Sequence, residues 1–184
     1  MGGDEMPRYI ITGGPGAGKT TLIEVLNKRG YTCVPEASRE LIKQEVLRES
    51  DCLPWADVSC YTRLALKRMT EAYDSGTESD LIFYDRGIPD LISYLRLANV
   101  PVHPSITAAL SSYTYNNVAF ILPPWREIYK LDAERWQTFK QSELIYSYLV
   151  EVYTKLNFKL ITLPKITANQ RAGLILNILK RKSS

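Results

Sequence analysis

Five short apolar runs alternate along the chain with longer stretches in which apolar residues recur every three or four positions. Residues 8–12, 31–35, 80–85, 117–122 and 158–163 are brief and rich in β-branched or aromatic side chains, which predicts strands. Helical spacing is predicted over 21–30, with Gly30 as the residue that ends the helix, and over 36–47. A further helix starts at Asp57 as N-cap. Val58, Tyr61, Ala65, Met69 and Ala72 mark its inner face as far as the Ser75-Gly76 stop. Helices over 89–97 and 105–115 flank the loop Val100-Pro101-Val102-His103-Pro104. Leu144, Ile145, Tyr148, Leu149, Val152 and Leu156 form another stripe, and residues 167–181 a closing helix. The third run holds a continuous apolar stretch, Leu81-Ile82-Phe83-Tyr84, between Asp80 and Asp85, as in a central strand covered on both faces. Strands alternating with helices predict a three-layer α/β domain with a parallel sheet and right-handed crossovers.

Between the first strand and the first helix lies Gly13-Gly14-Pro15-Gly16-Ala17-Gly18-Lys19-Thr20, followed by Thr21. Every specified position of the phosphate-loop pattern G-x-x-x-x-G-K-[ST] is filled. Glycines let successive backbone N–H groups converge on an anion, and the helix N-terminus adds its unpaired donors. Lys19 supplies a mobile charge for the outer phosphates, and Thr20 a hydroxyl for Mg2+. A glycine-rich surface turn is the plain alternative, but strand, loop and helix are the context that the motif requires. Together these features predict the P-loop α/β architecture.

Further polar residues fall at the carboxyl ends of predicted strands, where ligands sit in open α/β sheets. Asp85 ends the third strand and can hold Mg2+ with Thr20; the alternatives are a helix cap near Pro89 or an ion pair with Arg86. Glu36 follows the second strand, as a general base for an attacking hydroxyl or as a helix-start acid favoured by the dipole. If a helix starts at Glu36, then Arg39 and Glu40 share its face. Arg39 and Arg86 can clamp an acceptor or pair with Glu36, Glu40 and Asp85. Arg126, Lys130 and Arg135 follow the fourth strand, either covering a transferring phosphoryl group or lying on a solvated face beside Glu127, Asp132 and Glu134. His103, between prolines, reads as a surface residue.

The 184 residues suit one domain, taken as 8–184 after a loose leader over 1–7. A net charge of +3, with acids and bases interleaved, leaves no clear nucleic-acid footprint. No apolar run approaches a membrane span. Cys33, Cys52 and Cys60 lack metal-site spacing, and an odd count argues for free thiols in a reducing, cytoplasmic setting.

The chain from Arg8 to Leu179 resembles the small P-loop kinases and predicted ATPases grouped with the nicotinamide riboside kinase domain. The residues that carry this are the phosphate loop, Pro35-Glu36-Ala37-Ser38-Arg39-Glu40, Phe83-Tyr84-Asp85-Arg86-Gly87, and Leu122-Pro123-Pro124-Trp125 with Ile128-Tyr129, Asp132 and Glu134-Arg135. The resemblance implies a five-stranded sheet in order 2-3-1-4-5 and a lid after strand four. It also implies Glu36 or Asp85 near the acceptor hydroxyl, Asp85 near Mg2+ and Arg135 in the lid. The chain is also similar to deoxynucleoside kinases, in which a glutamate after strand two serves as base and an Asp-Arg pair ends strand three. Asp85-Arg86-Gly87 departs from the riboside kinase pattern, and no residue set marks a nicotinamide ring.

The leading expectation is phosphoryl transfer from Mg·ATP to a nucleoside-like or other small hydroxylated acceptor. A nucleotide-driven switch acting on a protein partner is the alternative, and a binding module without turnover the plainest reading.

Overall fold

The computed structural model describes residues 8–36, 38–76, 81–129 and 138–181. Five parallel strands form one sheet: β1 (Arg8–Gly13), β2 (Thr32–Val34), β3 (Ile82–Asp85), β4 (Val118–Leu122) and β5 (Lys159–Thr162). Their order is β2-β3-β1-β4-β5, as expected. Among the described residues, seven α-helices connect and cover them: α1 (Lys19–Lys28), α2 (Ser38–Leu47), α3 (Val58–Asp74), α4 (Ile88–Leu97), α5 (Pro104–Ser112), α6 (Phe139–Lys155) and α7 (Ala168–Lys180).

Strand periodicity divides the core. Tyr9, Ile11, Phe83 and Phe120 face α1 and α7, packing on Leu22, Leu26 and Ile175. Ile10, Ala119 and Ile121 point the other way, onto Ile145, Leu149 and Tyr153 of α6. A third cluster ties α2 to α5 together through Leu41, Tyr61, Leu66, Leu91, Leu95 and Ile106. This helical lobe stands at the carboxyl end of β2 and β3 and walls the site described below.

Asp57 caps α3 as expected, its Oδ1 accepting from Cys60 N at 2.8 Å. Gly30 lies beyond α1 at φ +88°, the left-handed geometry that ends a helix cheaply only at glycine. The fifth helix is shorter than expected. It stops at Ser112, and Tyr113 and Tyr115 turn inward to meet Tyr73 edge-on.

Two expectations are corrected. α2 begins at Ser38, so Glu36 precedes the helix and does not share a helical face with Glu40. Cys52 and Cys60 are not free thiols but a disulfide with Cα atoms 5.0 Å apart. The loop before α3 folds back through Leu53 O, which accepts from Ala56 N and Asp57 N, and the Asp57 cap sets Cys60 in the first turn. Cys33 remains a free thiol, and burial pushes it up to about 11.

Gly87, at the start of α4, is set by close approach. A Cβ there would lie 2.4 Å from Ile10 Cδ1, and β1 carries Ile10 rigidly. Gly87→Ala is therefore expected to lower stability by about 1–3 kcal/mol in urea denaturation, through overpacking. An unchanged midpoint would show that β1 yields freely here.

Candidate functional site: a phosphate loop facing a buried acid–base cluster

The loop leaving β1 runs over the N-terminus of α1. Gly16 and Gly18 adopt φ +75° and +88°, which side-chain-bearing residues reach only with strain. A Cβ on Gly16 would also meet the Tyr129 ring at 2.5 Å. Gly18 caps α1 without a side chain, so the amides of the first turn are left to an anion. Thr20 and Thr21 stand exposed at that turn. Lys19 is buried, with Nζ donating to Gly14 O at 3.2 Å. Burial and the Arg86 charge lower its pKa, while Asp85, Glu36 and Asp90 oppose them.

Two side chains outside the loop brace it. Ser142 on α6 donates to Pro15 O at 2.9 Å. Arg171 on α7 donates through Nη1 to Ala17 O at 2.9 Å and through Nε to Pro164 O at 2.8 Å. Its guanidinium lies 5.0 Å over the Trp125 ring. The sequence offered no signal for either residue, because their partners are backbone carbonyls more than 100 positions away for the loop contacts.

Asp85 ends β3, buried, with Oδ1 meeting no donor among the described residues. Burial pushes its carboxyl up to about 6; Lys19 and Arg86 pull it down, while Glu36 and Asp90 push the same way as burial. An orphaned carboxylate oxygen, with an exposed threonine hydroxyl at the loop's end, fits the sparse protein ligand set of Mg2+.

Arg86 lies at φ +76° with its side chain buried. Nη1 donates to Gly13 O and to Asp90 Oδ1, each at 3.2 Å, and Nε lies 2.8 Å from Glu36 Oε1. Of the readings open for this arginine, the geometry realises pairing with Glu36, not with Asp85. Burial works to raise Glu36, but the Arg86 and Lys19 charges and hydrogen bonds from Arg86 and Ser38 outweigh it and hold the carboxyl at about 2.

Asp90 is a third site residue that sequence reading missed, after Ser142 and Arg171. It is fully buried and joins Thr12, Arg86, Gly87 and Tyr153. Its spacing from Gly87 is that of a helix-capping acid, the only local hint. Arg39 lies in α2, but its side chain is outside the described residues, as are Lys130 and Arg135 entirely. Arg126, in a short 3-10 helix (Arg126–Ile128), sits 4.2 Å over the Phe139 ring. His103 is a helix cap, its Nδ1 accepting from Ser105 N at 3.2 Å.

One cavity of about 570 Å³ joins the phosphate loop to Glu36, Arg86, Asp90 and Arg171. Gly16, Gly18, Lys19 and Thr20 form its floor. One arm runs past Trp125, Ile128, Thr167 and Arg171. The other runs past Glu36 and Arg86 between Ile42, Tyr61, Met69 and Tyr94.

The strand order and the loop over α1 define the three-layer P-loop fold of small kinases. A family model described as an AAA domain (AAA_28) matches residues 8–171, and the chain belongs to that family. No curated protein matches the chain significantly. Among solved structures, the chain is similar to deoxyadenosine kinase from M. mycoides, at 15% identity and TM-score 0.65 over 95% of this chain and 99% of that one. It is also similar to thymidylate kinase from Ehrlichia chaffeensis, at 17% identity and TM-score 0.61 over 95% and 98%. NadR protein in complex with NAD and AMP-PNP matches at 14% identity and TM-score 0.71 over 97% of this chain and 50% of that one. At such identities the likeness is one of fold.

The Glu36–Arg86 pair sets a pH dependence. A depressed carboxyl stabilises the fold above its unfolded value of about 4.3, and that contribution is lost as pH falls through about 2. Glu36→Gln is expected to cost about 1–3 kcal/mol at pH 7, the gap to the parent closing progressively below about pH 4. Equal urea midpoints at pH 7 would contradict the pairing.

Proposed function

We propose that this protein is an ATP-dependent phosphotransferase that moves the γ-phosphoryl group of Mg·ATP to a nucleoside-like or other small hydroxylated acceptor. One observation carries the reading. The Glu36 carboxylate, kept ionised by Arg86, lines the same cavity as Lys19 and the phosphate loop. A binding module or switch needs the loop but not a paired, half-buried carboxylate lining the same cavity.

In this reading the loop amides of residues 13–18, with Lys19, Thr20 and Thr21, take the phosphates. Mg2+ held by Thr20 and Asp85 supplies neutralisation of the phosphate charge. Glu36 orients the acceptor hydroxyl and receives its proton. Proton loss runs late in a loose transition state, so a weakly basic carboxylate suffices. The aromatic and apolar walls at Tyr61, Met69 and Tyr94 suit a flat ring on the acceptor. Arg86, spent on two carboxylates, acts by setting Glu36 more than by touching the acceptor. Arg39 is assigned to the acceptor side and Arg135 to the cover over the γ-phosphate, both from the family resemblance. Residues 8–184 form one catalytic domain in this account. Among the described residues no helix is long and apolar enough to cross a membrane. A cytoplasmic location is part of the proposal.

AAA family membership and the Tyr129 ring lodged against Gly16 support a second reading, in which nucleotide state is relayed to a protein partner. ADP release from Mg·ATP, measured alone and with nucleosides, nucleotides and small alcohols, separates the two. The kinase reading expects one acceptor class to stimulate release. Lys19→Ala and Glu36→Gln should each lower that rate by roughly 10²-fold or more. Slow hydrolysis that no acceptor changes would favour the switch.

A further inference from the structure

Asp90 lines the cavity that holds the phosphate loop, and its surroundings are built with more contacts than a helix cap needs. Oδ1 accepts from Thr12 Oγ1 at 2.6 Å and from Arg86 Nη1 at 3.2 Å. Oδ2 accepts from Gly87 N at 3.1 Å and from Tyr153 OH at 2.5 Å. Four donors on one carboxylate, from β1, the β3–α4 turn and α6, leave it no freedom to turn.

Arg86 has no such freedom either. Its Nη1 is divided between Gly13 O and Asp90, and its Nε faces Glu36. The guanidinium is planar, so fixing one end of the fork fixes the other. Anchored at Asp90, it can meet Glu36 only from one direction. Glu36 itself precedes α2 and follows a three-residue edge strand, with Ser38 as a local hydrogen-bond partner. The charge that holds its carboxylate comes from across the site, from Arg86.

We propose that Asp90 is a positioning residue which, through Arg86, fixes the Glu36 carboxylate toward the acceptor arm of the cavity. The inference rests on the kinase reading above, in which Glu36 receives the acceptor proton. Tyr153 and Thr12 belong to the same device. Tyr153 ties it to α6, the helix whose Ser142 holds Pro15 of the phosphate loop, so one helix registers both halves of the site. Orientation within a fraction of an ångström is what proton transfer and in-line attack require.

The test is a double-mutant cycle on acceptor-stimulated turnover, using Glu36→Gln, Asp90→Asn and the pair. Asp90→Asn is expected to lower kcat by roughly tenfold or more while the KM for Mg·ATP stays within about threefold. In the Glu36→Gln background, Asp90→Asn should cost nothing further, because it acts only through that carboxylate. Losses that multiply, or a kcat unchanged by Asp90→Asn, would overturn the proposal and leave the kinase reading standing. Should Asp90→Asn fail to fold, Tyr153→Phe keeps the buried charge and removes one donor. It is expected to give a smaller kcat loss that again vanishes beside Glu36→Gln, and a loss persisting there would overturn the proposal equally. A parent protein with no acceptor-stimulated turnover sinks the kinase reading, and this inference with it.

Discussion

A guanidinium buried between two carboxylates organises the carboxyl edge of this sheet. An isolated buried charge costs several kcal/mol, so Arg86 requires partners with good geometry on both sides. Glu36 supplies one from the segment after β2, and Asp90 the other from the first turn of α4. Arg86 also reaches back to Gly13 O, where β1 passes into the phosphate loop. Three separate stretches of chain are thus held in one register by one side chain. Its left-handed backbone, at φ +76°, carries a local cost that the same contacts offset.

The consequences run outward along the fold. Because Arg86 is neutralised within the protein, Lys19 and Arg171 are the other cations lining the cavity among the described residues, and the proposed function gives the phosphates to Lys19. Asp85, one residue earlier, gains no donor for Oδ1 among the described residues, which is what the proposed role toward Mg2+ requires. The helical lobe walls the Glu36 side of the cavity with apolar and aromatic side chains, where a low dielectric strengthens every charge interaction. On the opposite arm, Arg171 ties the phosphate loop to the segment after β5, so the two arms share a rigid floor.

Much of this was readable from local pattern. The five strands, the phosphate loop, the Asp57 cap and the Gly30 stop each depend on residues within one turn or one strand, and sequence shows such features directly. The sheet order came from the family resemblance, not from any spacing in the chain. What escaped depends on distance along the chain. Asp90 meets Thr12 and Tyr153 across 78 and 63 positions, and nothing in its neighbours announces that. Arg86 was visible as a candidate, but its choice of Glu36 over Asp85 is set by the tertiary fold, which brings the segment after β2 to it across 50 positions. The Cys52–Cys60 bridge follows from how the loop before α3 folds back, which a count of three cysteines cannot reveal.

The central claim is that the Glu36 carboxylate and the terminal phosphate of a bound nucleotide face each other across the space of one hydroxyl group. A crystal structure of the protein with Mg2+ and a non-hydrolysable ATP analogue tests it most directly. The account predicts a γ-phosphorus seated by Lys19. Between it and Glu36 there should be room for an oxygen about 3 Å from the carboxylate and about 3–3.5 Å from phosphorus. A nucleotide bound in the loop with Glu36 turned away, or with protein filling that space, would contradict phosphoryl transfer to an acceptor.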